Sequence, residues 1–125
     1  MRAWLALCLL LIGCVAQAAP PQRIAVIDWG IAETLLGLGV TPIAVAQTEG
    51  YRRWVGTPAL PEDVVDLGLR IEPNLELLSQ LKPDLILITP QFAASRAQLE
   101  RIAPVQSLAI YSREAEGYVG AQRVT

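Results

Sequence analysis

Four short apolar runs, separated by stretches of a different period, restrict this sequence more than any other feature. They are Ile24-Ala25-Val26-Ile27-Asp28-Trp29, Ile43-Ala44-Val45-Ala46, Asp84-Leu85-Ile86-Leu87-Ile88-Thr89 and the run from Val105 to Tyr111. Continuous apolar character over four to eight residues is the mark of a strand buried on both faces, as in a parallel sheet. Between the runs the period changes. Ile31 to Leu38 carries apolar residues at helical spacing, with Gly39 where a helix C-terminus favours it. Asn74 to Leu81 has a stripe of Leu75, Leu77, Leu78 and Leu81, opened by Pro73-Asn74 and closed by Lys82-Pro83. Ala94 to Ile102 reads as a third helix, with Leu99 and Ile102 inward and Pro104 as its stop. Val64 to Gly68 reads as a further short strand. Gln47 to Pro61, with Gly50, Gly56, Pro58 and Pro61, reads as a loop, as does Pro90-Gln91-Phe92.

The order β-α-β-loop-β-α-β-α-β predicts an α/β fold: a mostly parallel sheet flanked by helices, with right-handed crossovers. Ligands of such sheets bind outside the carboxyl ends of the strands. Trp29, Thr89 and Phe92 fall at or just beyond such ends, and Arg70 follows the strand that stops near Gly68.

The first residues have a separate purpose. Met1-Arg2 precedes an apolar run, Ala3 to Ile12, of about ten residues, short of the ~20 that a membrane-spanning helix requires. Ala16-Gln17-Ala18 has the form of a signal peptidase site. A signal peptide over 1–18 is predicted, then one α/β unit over 19–112. Residues 113–125 contain Gly117 and Gly120 and no apolar stripe, and read as the start of an unfinished helix or a tail. Leu11-Ile12-Gly13-Cys14 also has the form of a lipobox. Two products are therefore open: a soluble one in the periplasm, or a lipoprotein anchored through Cys14.

Composition narrows the chemistry. Cys8 and Cys14 are the two cysteines, both inside the leader, and the chain has no histidine. After export no thiol remains for a disulfide, a zinc site or a nucleophile, and the commonest general base and metal ligand is missing. Asp28 and Glu33, five apart, have no partner group for acid–base work and read as helix-start or solvated charges. Net charge is −2 and Lys82 is the sole lysine, so the basic stripe that nucleic-acid binding needs is not visible. An enzyme is not expected, and neither catalytic nor metal-ligating residues are assigned.

Several segments together resemble a known family. Arg23-Ile24-Ala25-Val26, Glu33 and Leu35 to Ala46 are similar to the opening of the metal-chelate class of periplasmic binding proteins. Leu67-Gly68, Pro73-Asn74-Leu75-Glu76 and Leu81-Lys82-Pro83-Asp84-Leu85-Ile86-Leu87 are similar to its middle. More narrowly, Tyr51-Arg52-Arg53-Trp54-Val55, Asp66 to Arg70 with Glu72 to Leu78, and Arg101-Ile102-Ala103-Pro104 resemble the members that bind ferric hydroxamates. The resemblance runs almost without gaps from Arg23 to Pro104.

It implies the N-terminal lobe of a two-lobe protein, whose lobes are joined by one long helix and hold the ligand between them. Family members are about twice this length. The chain ends where that helix should begin, so a truncated product that binds weakly or not at all alone is expected. The implied function is the substrate-binding component of an ABC importer for ferric hydroxamate siderophores, with iron entering only inside the siderophore and no cofactor. The implied partner is a permease in the inner membrane. Docking there uses a glutamate where this sequence has Ala97, with Glu100 three residues on.

Position by position, the resemblance makes Arg70 the donor to the hydroxamate oxygens. Trp54 and Trp29 become aromatics of the cleft, and Thr89 a small hydroxyl residue beside it. Phe92 stands where the family has a tyrosine, which removes one donor. The physical logic is coherent: a trihydroxamate already saturates its iron, so the protein needs an always-charged planar fork and ring faces, not metal ligands. From the residues alone, blander readings stay open. Arg70 fits an exposed pair with Glu72 or Asp66, worth at most ~1 kcal/mol. Trp54 fits loop packing, Trp29 and Phe92 fit core positions, and Thr89 fits a strand-end cap. A standalone exported α/β interaction module, or a non-functional fragment, is the alternative to a siderophore binder.

Overall fold

The computed structural model describes residues 23–110. The signal peptide predicted over 1–18 and the segment 113–125 lie outside the described residues, as do both ends of the α/β unit. The elements run β1 (Ile24–Val26), α1 (Trp29–Gly37), β2 (Ala44–Val45), α2 (Thr48–Trp54), β3 (Val65–Asp66), α3 (Leu75–Leu81), β4 (Leu85–Ile88), a 3₁₀ helix (Pro90–Ser95), α4 (Arg96–Glu100) and β5 (Val105–Ser107). The five strands form one sheet in the order β3-β2-β1-β4-β5, and every neighbouring pair is parallel.

Strand residues alternate between two buried layers, because successive side chains leave a strand on opposite faces. Ala25, Ile27, Ala44, Ala46, Ile86 and Ile88 share one layer with Leu78 of α3, Phe92 and Leu99 of α4. Ile24, Val26, Val45 and Leu87 share the other with Ile31 and Ala32 of α1 and Tyr51 of α2. Both faces are covered, which is why the strands read as unbroken apolar runs.

Local chemistry sets the helix ends. Asp28 is the N-cap of α1, its Oδ1 accepting from the backbone N–H groups of Gly30 (2.7 Å) and Ile31 (3.2 Å). At the other end the Gly39 N–H donates to Leu36 O and the Val40 N–H to Leu35 O, with Gly39 at φ 81. That is the Schellman arrangement, and its left-handed residue favours glycine. Asn74 caps α3 through a 3.0 Å bond from the Leu77 N–H, and Lys82, in the left-handed region, ends it ahead of Pro83.

The structure departs from the sequence reading in three places. Trp29 begins α1 instead of ending β1, since the Asp28 cap starts the helix one residue after the strand turns away. The segment from Gln47 contains a helix, α2, where a loop was expected. Its buried residues are only Thr48 and Tyr51, too few to produce a stripe, yet Glu49 in its first turn and Arg52 and Arg53 in its last suit the helix dipole. Finally, Pro90 to Ser95 winds into 3₁₀ turns that kink at Phe92 (φ −102, ψ 15). In all other respects the expected order of strands and helices is present, and the sheet is wholly parallel.

The chain adds β2 and β3 on one side of β1, then β4 and β5 on the other, so strand order reverses between β1 and β4. Asp28 and Thr89 follow these two strands. Both are buried, and the Thr89 hydroxyl donates to Asp28 Oδ2 at 3.3 Å across the reversal.

Two outcomes follow for stability. Asp28→Ala is expected to cost about 2–4 kcal/mol in urea unfolding, about 1 from the lost cap and about 1–3 from the stranded Thr89 hydroxyl. Asp28→Asn, which still caps, should cost less. Tyr51, whose hydroxyl donates to Pro58 O at 2.7 Å, has its pKa raised above the usual 10.0 by burial and then by the Glu33 carboxylate. Above pH ~10 the unfolded chain therefore loses this proton first, and stability falls as pH rises through the folded value. Unfolding midpoints between pH 8 and 11 should show this decline, and Tyr51→Phe should remove part of it.

Candidate functional site

The carboxyl ends of β1, β2 and β3 deliver Trp29, Gln47 and Arg70 to one part of the rim. Trp29 is half-buried in the first turn of α1, and its indole Nε1–H donates to Ala46 O at 2.9 Å. The Arg70 guanidinium carbon lies 3.8 Å from the centroid of the Trp29 ring. Such cation–π stacking contributes about 0.5–2 kcal/mol, more as the pair is desolvated. The Arg70 backbone N–H and its Nε–H both donate to Gln47 Oε1, each at 3.3 Å.

The blander reading of Arg70 does not hold here. Asp66 is engaged elsewhere, its Oδ2 accepting from the Thr48 hydroxyl at 2.9 Å and its Oδ1 from the Gly68 N–H at 2.8 Å. Among the described residues Arg70 forms no ion pair, and none takes a hydrogen bond from its Nη atoms. One edge of the guanidinium is held and one face lies on a ring. The outer fork, with four N–H donors, remains for a ligand.

A close approach of α2 makes room for the ring. A Cβ built on Gly50 would lie 2.3 Å from Cζ2 and 2.5 Å from Cη2 of Trp29, inside any tolerable contact. Glycine sits mid-helix there because the indole occupies the place of a side chain. Trp54, the last residue of α2, is 76% exposed. A depression of about 610 Å³ is lined by Glu49, Gly50, Arg52, Arg53 and Trp54. Arg52 in it is committed to structure, donating to Pro61 O and pairing with Glu49 at 3.5 Å and Glu62 at 3.8 Å. Leu69 and Ile71, on either side of Arg70, are exposed.

Of the five residues singled out from sequence, the structure brings Arg70 and Trp29 into contact and leaves Trp54 exposed on the helix that packs against Trp29. The other two lie differently. Thr89 is buried with its hydroxyl on Asp28 and makes no side-chain capping bond, so it is neither open to the cleft nor a side-chain cap. Phe92 is buried in the core layer with Leu78, Ile88 and Leu99. Its ring packs inward because the 3₁₀ helix after β4 turns it under the sheet edge. Sequence reasoning missed Gln47 and Gly50. A glycine followed by Tyr51-Arg52-Arg53-Trp54 was the available signal for the second; nothing in the sequence marks the first. No group of three or more Asp, Glu, Cys or His able to hold a metal occurs among the described residues.

Residues 24–114 match the family described as Periplasmic binding protein. The chain belongs to that family. Among curated relatives, the iron(3+)-hydroxamate-binding protein FhuD of Escherichia coli (strain K12) is 47% identical over 89 residues, covering 71% of this chain and 30% of the relative. The Fe(3+) dicitrate-binding periplasmic protein FecB of the same organism is 36% identical over 92 residues, covering 68% of this chain and 29% of the relative. Among solved structures, the siderophore-binding protein FhuD from Vibrio cholerae, with Fe3+-Desferal bound, superposes with a TM-score of 0.67 at 42% identity. It covers 69% of this chain and 32% of that one. This periplasmic binding protein sequence thus spans about 30% of the length of the curated relatives it matches. Those relatives are binding proteins by name.

The Trp29–Gly50 contact yields a direct expectation. Gly50→Ala should displace the indole and break its bond to Ala46 O. The overpacking cost of ~1–3 kcal/mol outweighs the ~1 kcal/mol gained in helix propensity. A changed near-UV circular dichroism band and a lowered urea midpoint would register it; an unchanged indole environment would contradict the close packing.

Proposed function

We propose that this chain forms one wall of the ligand cleft in the substrate-binding component of a periplasmic ABC importer for ferric hydroxamate siderophores. The observation that carries the reading is Arg70, stacked on Trp29 with its outer fork uncommitted, in a chain 47% identical to an iron(3+)-hydroxamate-binding protein over the same segment. An iron already saturated by hydroxamate oxygens asks the protein for nothing that binds metal. It asks for donors to the outer oxygens and ring faces for the organic shell. Arg70 supplies the donors, and Trp54 with the exposed part of Trp29 supplies the faces. Thr89 and Phe92 act from behind, holding the strand ends that carry the rim. No chemical step is required, so the protein binds and releases without catalysis. Iron is cargo, and the downstream partner is the membrane permease of the importer. Export to the periplasm fits the predicted leader, with lipidation at Cys14 as the membrane-tethered variant.

These residues form one side of a cleft, so a polypeptide limited to them should bind modestly, because burial of most of the ligand surface is what gives such sites their strength. Equilibrium dialysis with the coloured complexes ferrichrome and ferrioxamine B tests the proposal. Saturable binding in the submillimolar to millimolar range is expected. Arg70→Ala should weaken it about ten- to a hundredfold, the worth of charged hydrogen bonds at ~1.5–3 kcal/mol, and Trp54→Ala several-fold. No uptake of either complex at several millimolar would overturn it and favour an exported protein-interaction module, for which the exposed Leu69 and Ile71 would be the first surface to examine.

A further inference from the structure

We infer that Gln47 is the residue that positions Arg70 and, because its amide is neutral, leaves the arginine's full positive charge to the ligand, so that the site favours complexes with an electron-rich or anionic outer face over cationic ones. This rests on the siderophore reading for the identity of the ligand, but not for the seating of the arginine.

Three independent features of Gln47 converge. First, it lies in the left-handed region at φ 50, ψ 61, at the N-cap position of α2, yet makes no side-chain capping bond to that helix. A non-glycine residue in this conformation carries backbone strain, and the usual recompense, a cap, is absent. Second, its backbone is clamped: its N–H donates to Gly68 O at 2.8 Å, tying the turn after β2 to the end of β3. Third, the side chain freed from capping turns its oxygen to Arg70, where one Oε1 accepts from both the backbone N–H and Nε–H. Two donors facing the same atom identify it as the oxygen of the amide.

Charge decides the consequence. A carboxylate at this place would hold the guanidinium equally well and neutralise it. The nearby carboxylate of Asp66 is occupied by Thr48 and Gly68. The amide orients Arg70 at no cost in charge, and the low-polarity indole beneath it further limits screening. A ligand presenting oxygens with partial negative charge meets an undiminished cation. One with a pendant ammonium meets repulsion.

The test separates seating from selectivity. In ligand-free protein labelled with 15N-arginine, the Arg70 Nε–H resonance should be shifted upfield by the Trp29 ring current. Gln47→Ala should move it towards the value of a free arginine, and Gln47→Glu should retain it. In dialysis, Gln47→Glu should lower affinity for neutral ferrichrome more than for ferrioxamine B, whose pendant ammonium makes it cationic, shifting the ratio of the two affinities about three- to tenfold. An Arg70 resonance indifferent to Gln47→Ala would overturn the positioning role, and an unchanged ratio in Gln47→Glu would overturn the charge role. Failure of the unaltered chain to bind either complex would sink the siderophore reading and the ligand preference with it, while the resonance shift would still decide the seating.

Discussion

Asp28 is where the two halves of the sheet and the rim above them are joined. Its carboxylate caps α1 through the N–H groups of Gly30 and Ile31 and accepts from the Thr89 hydroxyl across the point where strand order reverses. A buried ionisable group is retained only when its oxygens are satisfied, and here three donors do so. Because the cap fixes where α1 begins, it fixes Trp29 as the first helical residue. Trp29 in turn dictates a glycine at position 50 and provides the surface on which Arg70 lies. The chain of dependence runs from one carboxylate to the candidate site.

The rim is divided in its labour. Over β1, β2 and β3 the strand ends present Trp29, Gln47 and Arg70, partly accessible, with the Arg70 Nη donors uncommitted. Over β4 the strand end is sealed: Thr89 is spent on Asp28, and Phe92 turns beneath the sheet. A doubly covered parallel sheet forces all its carboxyl ends to one edge, but which of them stay open is settled by the connection that follows each. The α2 helix leaves Trp54 in solvent, whereas the 3₁₀ helix after β4 closes its own end.

This arrangement suits recognition of a ligand. The site contains a guanidinium, aromatic faces and an amide. Stacking and the bond to Gln47 restrict a long side chain before any ligand arrives, which reduces the ordering entropy that binding must otherwise overcome.

Much of this was legible in the residues. Apolar runs of four, helical spacing in Leu75 to Leu81, and the glycine at position 39 determine an all but complete list of strands and helices, since burial on two faces and capping act through near neighbours in sequence. The absence of histidine from these residues, and of cysteine beyond position 14, is likewise a fact of composition and narrows the chemistry they can perform. Tertiary structure alone decided what the rim presents. That Arg70 rests on Trp29, that Gln47 holds it, and that the Thr89 hydroxyl reaches Asp28 each depend on contacts between residues 23 to 61 positions apart. No local period encodes such contacts, because they exist only once parallel strands have been brought side by side. The α2 helix belongs to the same class: with two buried residues it has no amphipathic signature, and it is held by its packing against an indole from another element.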